Sequence, residues 1–241
     1  MEIIKLKETS TSPRNNEILN QSGIKITDLK QAVKNPNRVN VYVNDKYEFS
    51  LDVAQLVDFK LKVGKTITKT QLEEFKKASE FGKLYQRTLE WVLMRPRSIK
   101  ETRDYLYKKT HQKKLIKNSD TRELKPAINL PEKDLTSFTE EIVARLISKH
   151  YLDDLKFARY YVENRFVKKG VSKKRLKMEL IKKGISSDII DQVISGRTDE
   201  EEIRKIIARK RTRYDDQKLI AYLCRQGFDY QLAQSLVQES A

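Results

Sequence analysis

A nine-residue segment that recurs three times limits what this chain can fold into more than any other feature of its sequence. The three copies, 98–106, 172–180 and 215–223, align without gaps. Each copy begins with Ser or Asp, whose side-chain oxygen can cap a helix, and ends on a leucine eight positions later. In the first copy Glu101 stands three residues after Ser98, which is the spacing of a capping box. The chain is therefore predicted to contain three similar helices.

The second and third copies are both followed by a glycine and then by an apolar residue. These pairs are Gly184 with Ile185, and Gly227 with Phe228. A glycine just after a helix permits a left-handed turn, and the apolar residue can then fold back onto the last leucine of the segment. A basic helix precedes each copy and another helix follows each turn, so the unit has three helices. Because each unit buries only a small core, neighbouring units should stack into an elongated array.

The first copy lacks the glycine turn. In its place stand residues 111–134, which contain Pro126 and Pro131 and show no sustained period. A long connection without periodicity is typical of an inserted loop. We therefore expect an irregular loop at this position.

The N-terminal part of the chain has a different periodicity. Residues 1–20 are polar and without a period, which predicts disorder because burial could not offset the entropy of ordering them. Apolar and polar residues then alternate, and Asn44 and Asp45 favour a tight turn between two such runs. Residues 38–51 are therefore predicted to form a β-hairpin, followed by a short helix.

These patterns predict a mainly α fold: an elongated array of tandem three-helix repeats with a small N-terminal β-hairpin module. The 7 glycines and 5 prolines are too few for the turns of a many-stranded sandwich or barrel. The predicted domains are a disordered N-terminus (1–20), a small β module with a short helix (21–67), a first helical repeat (68–153) with the inserted loop (111–134), a second repeat (154–196) and a third repeat (197–241).

Positive charge is clustered in this chain, whose formal net charge is +16. Lys and Arg residues concentrate before or at the start of each repeated helix, where phosphate or carboxylate groups bind favourably. A solvated polar face explains any single one of them, but their recurrence in register favours a continuous binding stripe. The candidate contacts to a protein partner or to single- and double-stranded DNA are Arg95, Arg97, Lys168, Lys169, Lys173, Lys174, Arg175, Lys177, Lys182, Lys183, Arg204, Arg209, Lys210, Arg211 and Arg213.

No pattern in the sequence indicates catalysis. Cys224 is the one cysteine, neither histidine stands in a cluster with metal-ligand spacing, and glycine-rich phosphate-binding motifs are absent. Asp153 and Asp154 open a helix, where carboxylates cap backbone N–H groups, so they are interpreted as structural. We expect no enzyme activity, no catalytic residues, no metal and no cofactor. Because no apolar run suits a signal peptide or a membrane span, the sequence predicts a cytoplasmic protein without membrane contact.

The stretch 151–161 resembles the signature of the RecX family, whose members regulate the bacterial RecA recombinase. The resemblance continues upstream in residues 95–101 and downstream in residues 182–185, and it covers about residues 84–237. The hairpin within residues 39–51 is similar to an extension that many members carry. The signature residues, interpreted here as structural, are Tyr151, Leu152, Asp153, Asp154, Phe157, Ala158 and Tyr161.

The resemblance implies a regulator of RecA that takes part in recombination, DNA repair and the SOS response. Such a protein would bind the RecA–DNA filament, mainly as an inhibitor, and restrain ATP hydrolysis and strand exchange. It would act as a monomer. Two alternatives stay open from the residues alone: a free-standing helical DNA-binding protein with no recombinase partner, and a scaffold that contacts only proteins. The sequence leaves undecided which filament surface is contacted and what the insert and the β module contribute.

Overall fold

A computed structural model gives the fold. It describes residues 23–33, 35–117, 122–126, 128, 130–165 and 170–240. The chain divides into two compact units, residues 1–83 and residues 84–241. The three-helix repeats predicted from the sequence lie mainly in the second unit, and the β module lies in the first.

The first unit contains a four-stranded antiparallel sheet, which is larger than the predicted hairpin. Its strands follow the order β3-β2-β1-β4, and a short helix leaves β3. The central turn is formed by Asn44 and Asp45, both in the left-handed region at φ 48° and 64°, as the predicted hairpin requires. The elements are β1 (Ile24–Ala32), β2 (Asn35–Val43), β3 (Lys46–Asp52), α1 (Val53–Asp58) and β4 (Thr66–Ile67).

The core of the first unit lies between the sheet and the start of a long helix, α2 (Lys69–Leu93). Val41 and Leu51 project from neighbouring strands and are fully buried. Leu72 and Phe75 of α2 belong to the same apolar cluster. An isolated sheet of this size would be marginally stable, so the cover supplied by α2 accounts for its stability.

The second unit consists of three-helix repeats, which confirms the predicted architecture. The end of α2 leads the first repeat, and each of the later repeats has three helices of its own. The helices that correspond to the repeated segment are called the middle helices here. After α2 the helices are α3 (Ile99–Thr110), α4 (Glu132–Ser148), α5 (Asp154–Arg165), α6 (Lys173–Lys182), α7 (Ser187–Ile194), α8 (Asp199–Lys210), α9 (Asp216–Arg225) and α10 (Tyr230–Glu239), of which α3, α6 and α9 are the middle helices.

Both predicted glycine turns are confirmed. Gly184 and Gly227 have φ values of 80° and 90°. The N–H of Ile185 donates to the carbonyl of Leu180, and that of Phe228 donates to the carbonyl at the equivalent position. Both apolar residues are buried, each in the core of its own repeat. The turn therefore ends the middle helix and directs the third helix back onto it.

The insert in the first repeat contains regular structure, so the expectation of an irregular loop is wrong. It forms a hairpin of β5 (Lys113–Lys117) and β6 (Arg122–Pro126). At its base the His111 imidazole contacts the Glu132 carboxylate at 3.0 Å. The strand sequences, KKLIK and RELKP, do not alternate apolar with polar residues, which is why the pattern missed them.

Candidate protein and nucleic-acid interface

The first and second repeats meet where the middle helix of one begins and the middle helix of the next ends. The Ser98 hydroxyl, which caps the start of α3, donates a 2.8 Å hydrogen bond to the carbonyl of Lys183 at the end of α6. The backbone N–H of Ile99 donates to Oδ1 of Asp154 at 2.9 Å. We call this contact the first joint. It satisfies a donor at the start of one helix and an acceptor at the end of another.

The second and third repeats meet in the same way, and this contact is the second joint. The Ser172 hydroxyl, which caps α6, donates to the carbonyl of Gln226 at the end of α9, at 2.9 Å. The N–H of Lys173 donates to Oδ1 of Asp199 at 2.8 Å. The three middle helices therefore meet end to end, with the positive N-terminus of each helix dipole against the negative C-terminus of the next.

The glycine of each turn is also part of the joint. A Cβ at Gly184 would lie 2.6 Å from the Cβ of Lys100, and a Cβ at Gly227 would lie 2.8 Å from the Ser172 hydroxyl oxygen. Contacts this short require a shift of the neighbouring repeat. These positions need glycine for two independent reasons, the left-handed backbone and the close approach of the next repeat.

The first joint contains a charged pair. Nζ of Lys183 donates to the Glu101 carboxylate at 2.6 Å. Burial acts to raise the pKa of Glu101, but the hydrogen bond and positive charge of Lys183 outweigh it and hold that pKa below its ordinary value. The predicted capping box is wrong in one respect, because Ser98 caps the helix while the Glu101 side chain turns to Lys183 in the next repeat.

The second joint contains a buried carboxylate instead. Glu202, only 2% exposed, accepts a hydrogen bond from the N–H of Val171 at 3.2 Å. Its other oxygen lies 2.8 Å from both Arg197 and Lys205. This arrangement ties the residues that lead into α6 to the first turns of α8. A buried charge is tolerated here because it is paired on two sides.

The family-signature residues make contacts within the helical framework. Asp153 caps α5 by accepting from the N–H of Lys156 at 2.9 Å, and Asp154 forms the first joint. Burial raises the pKa of Asp154. Tyr161 donates its hydroxyl to the Glu179 carboxylate at 2.8 Å. The remaining members are Leu152, Phe157 and Ala158, which are buried, and Tyr151, which is exposed.

Most of the candidate cations that the structure describes are engaged within the chain. Arg97 stacks its guanidinium 3.9 Å above the ring of Trp91, and burial together with the neighbouring Arg95 lowers the pKa of Arg97. The others contact carboxylates, carbonyls, an amide or aromatic rings: Arg95 with Glu101 and Pro96, Arg175 with Glu179 and Gln226, Lys177 with Asp191, Lys183 with Glu101, Arg204 with Glu239, Arg209 with Lys205, Lys210 with Tyr214 and Tyr222, and Arg211 with Asp216 and Val237.

A smaller set of candidates is available to a partner. Lys174, Lys182 and Arg213 are exposed and have no ion pair among the residues the structure describes. Lys173 donates its backbone N–H to the second joint, and its side chain is partly buried. Lys168 and Lys169 lie outside the described residues. The predicted stripe is therefore interrupted, because several of its cations already have partners.

A second set of cations becomes visible only from the repeats. Lys108, Lys182 and Arg225 occupy equivalent positions, one in the last turns of each middle helix. All three are exposed and lack an ion pair within the described part of the chain. Only Lys182 of these three was among the cations predicted from the sequence. The signal for the other two was the ungapped alignment extended by two residues past the final leucine.

Within the described residues, no helix is both long and apolar enough to cross a membrane. Nor do those residues contain a group of three or more His, Cys, Asp or Glu side chains suited to a metal ion.

Comparisons with known proteins agree with this arrangement. A model of the regulatory protein RecX N-terminal domain matches residues 24–68, and a model of the second three-helix domain of RecX matches residues 153–194. The regulatory protein RecX of Listeria monocytogenes serotype 4a is 28% identical over 227 residues, which cover 90% of this chain and 76% of that protein. The one from Bacillus pumilus is 28% identical over 225 residues, covering 89% and 77% respectively.

A solved structure shows the same fold. A crystal structure of a regulatory protein RecX aligns with 88% of this chain and 98% of its own, with a TM-score of 0.60 and 23% sequence identity. The family models match the β module and the second repeat, and the relatives align along nine-tenths of the chain. These matches and the repeated helical architecture make this chain similar to the RecX family of regulatory proteins along most of its length.

Proposed function

We propose that this chain regulates the RecA recombinase, mainly as an inhibitor, by binding the RecA–DNA filament and restraining ATP hydrolysis and strand exchange. The similarity to the RecX family supports this proposal. In it the chain acts from the cytoplasm as a monomer, without catalysis of its own.

A surface that recurs once per repeat suits a partner built from equivalent subunits. Lys108, Lys182 and Arg225 recur once per repeat on middle helices that meet end to end. A filament presents equivalent subunits and phosphates at regular intervals, so successive repeats can each make a similar contact. Contacts linked in this way gain affinity through effective concentration, even where each one is weak.

The proposal is tested by measuring the ATPase of RecA filaments as this protein is added, with DNA in saturating excess. Excess bare DNA removes an effect that depends only on competition for DNA, whereas binding to the filament persists. We expect inhibition to persist. If inhibition is lost under these conditions, the alternative of a free-standing DNA-binding protein is favoured. Salt dependence would not separate the two functions, because both rely on the same basic surface.

Matched variants connect the inhibition to the exposed cations. A triple variant, Lys108→Gln with Lys182→Gln and Arg225→Gln, removes one free cation from each repeat. The control is the double variant Lys177→Gln with Arg204→Gln, whose cations are equally peripheral but paired with Asp191 and Glu239. We expect the triple variant to need roughly tenfold more protein for half-inhibition, the order of effect of losing modules from a multivalent contact. The control should change little.

A further inference from the structure

The outer face of α6 carries two exposed apolar side chains. Met178 is 53% exposed and Ile181 is 55% exposed, and they lie three residues apart on the same side of the helix. The opposite side of α6 holds Leu176 and Leu180, which are fully buried in the core of the second repeat. Met178 and Ile181 are therefore not part of the packing that holds the repeat together.

Unpaired positive charge borders this apolar pair. Lys174 lies one turn before Met178, and Lys182 directly follows Ile181. Both lysines are exposed and have no ion pair among the described residues. Lys177, on the neighbouring line of the helix, is neutralised by Asp191 at 2.9 Å. The face is thus an apolar patch with one free cation near each end.

The position of α6 makes this face central. Its N-terminus meets the end of α9 through Ser172, and its C-terminus meets the start of α3 through Lys183. At the positions equivalent to Met178 and Ile181, α9 has Ala221 and Cys224, which are smaller. The equivalent positions of α3 hold Asp104 and the exposed Tyr107, so α6 is the middle helix with a large apolar side chain at both positions.

The chemistry of this face favours a protein segment over DNA. Phosphates would pair with the two lysines but would leave Met178 and Ile181 without an apolar partner. A helix that carries apolar side chains at i and i+3 or i+4, with carboxylates beside them, would satisfy both kinds of group at once. Methionine is unbranched and adapts to such a surface more readily than branched residues do.

We propose that Met178, Ile181, Lys174 and Lys182 form a docking site for an acidic amphipathic helix of a recombinase subunit in the filament. This inference rests on the proposed function and adds to it the contacting face and the chemistry of the segment bound there. We expect docking by this face to be independent of any contact that Lys108 and Arg225 would make with phosphates.

The test compares the double variant Met178→Gln with Ile181→Gln against the wild type. The control is Tyr230→Gln, which removes an apolar side chain of similar exposure, 57%, from the third repeat. Two equilibrium constants are measured for each protein at one salt concentration: one for RecA filaments assembled on an oligo(dT), and one for the same oligonucleotide alone. Circular dichroism and urea unfolding confirm that the variants stay folded.

We expect the double variant to bind filaments about tenfold more weakly, the order of effect of losing contact residues at the centre of an interface. Its affinity for the bare oligonucleotide should stay within about twofold, and the control should change neither constant. If the wild type and the double variant bind filaments equally strongly, the docking site is overturned and the proposed function stands. A parallel loss of oligonucleotide binding would identify the face as a DNA contact and would also overturn it.

Two further outcomes also decide the matter. If the wild type does not bind filaments at all, the proposed function fails and the docking site fails with it. If the wild type self-associates in analytical ultracentrifugation and the double variant does not, the occupant is a second copy of this chain, and docking of a recombinase helix is overturned.

Discussion

The two joints between repeats share their backbone contacts and differ in their side chains. In both, a serine that caps a middle helix donates to the last carbonyl of the next middle helix, and an aspartate accepts from the following N–H. The first joint adds the Glu101–Lys183 ion pair, whereas the second adds the buried Glu202. The common contacts position the repeats, and the variable ones set how each joint responds to charge, pH and salt.

The third middle helix differs from the other two in the residue that caps it. Its middle helix is capped by Asp215, which accepts from the N–H of Lys218 as the two serines do from their own helices. An ionised carboxylate has no proton to donate, so it could not bond to the carbonyl of a further middle helix. The difference between Ser172 and Asp215 therefore decides whether the cap of a middle helix can also bond to a neighbouring repeat.

Of the substitutions in this comparison, the replacement of Glu202 should lower the free energy of unfolding most, and it should disturb the second joint alone. Glu202→Ala leaves the N–H of Val171 without its acceptor and Arg197 without its carboxylate in a buried site. We expect a loss of roughly 3 kcal/mol in the free energy of unfolding, as found when one member of a buried pair is removed. Urea denaturation measures the loss. The control is Glu201→Ala, on the exposed side of the same helix turn, which should cost less than about 1 kcal/mol. If both variants lost the same free energy of unfolding, the burial of Glu202 would contribute nothing.

The glycine turns should be the next most sensitive positions, one for each joint. Gly184→Ala and Gly227→Ala each place a Cβ at positive φ and within 2.8 Å of the neighbouring repeat. We expect each to cost about 2 kcal/mol, from the backbone strain together with the shift of the joint. Hydrogen exchange should show faster opening of the two repeats that flank the substituted joint. Gly196→Ala, where a Cβ meets open space, is the control and should change stability little.

Removal of the caps should distinguish a cap that also bonds to a neighbouring repeat from one that does not. Ser172→Ala removes both the cap of α6 and the donor to Gln226, so we expect a loss of about 2 kcal/mol. Asp215→Ala removes a cap only and should cost about 1 kcal/mol. Thermal unfolding of the two variants beside Ser98→Ala gives the comparison. Ser98→Ala should resemble Ser172→Ala, and a match with Asp215→Ala instead would mean that the inter-repeat bond does not stabilise the first joint.

The smallest expected effect is the pH dependence of the first joint. Because the folded-state pKa of Glu101 lies below its ordinary value of about 4.5, its ion pair stabilises the fold fully above that pH. The stabilisation is then lost as the pH falls through the lowered pKa. Lys183→Met should therefore cost about 0.5–1 kcal/mol at pH 7, and the difference from the wild type should shrink in acid.

The second joint provides the control for this pH dependence. Gln226→Met changes an uncharged side chain at the equivalent position, so its effect should be the same at pH 7 and in acid. Urea denaturation at a series of pH values tests both variants. A pH-independent effect of Lys183→Met would show that the ion pair contributes no stability to the first joint.

The sequence predicted the local elements well because their signals are local. The caps at Ser98, Ser172 and Asp215 and the turns at Gly184 and Gly227 depend on backbone conformation and on residues a few positions away. The insert was misjudged because neither of its two strands alternates apolar with polar residues. The partner of Glu101 was misjudged because the distant Lys183 competes successfully for its carboxylate.

The amino-acid sequence by itself determined the repeat, its three-helix unit, the ends of the middle helices and the positive charge of the chain. Each of these follows from composition, from the alignment of the three segments or from spacings within one segment and its turn. Only the tertiary structure decided that a capping serine also joins two repeats, that Glu202 is buried, and which cations are free. Those properties depend on residues brought together from up to about 85 positions apart, where side-chain geometry decides whether a lysine meets a carboxylate of its own chain or is left for a partner.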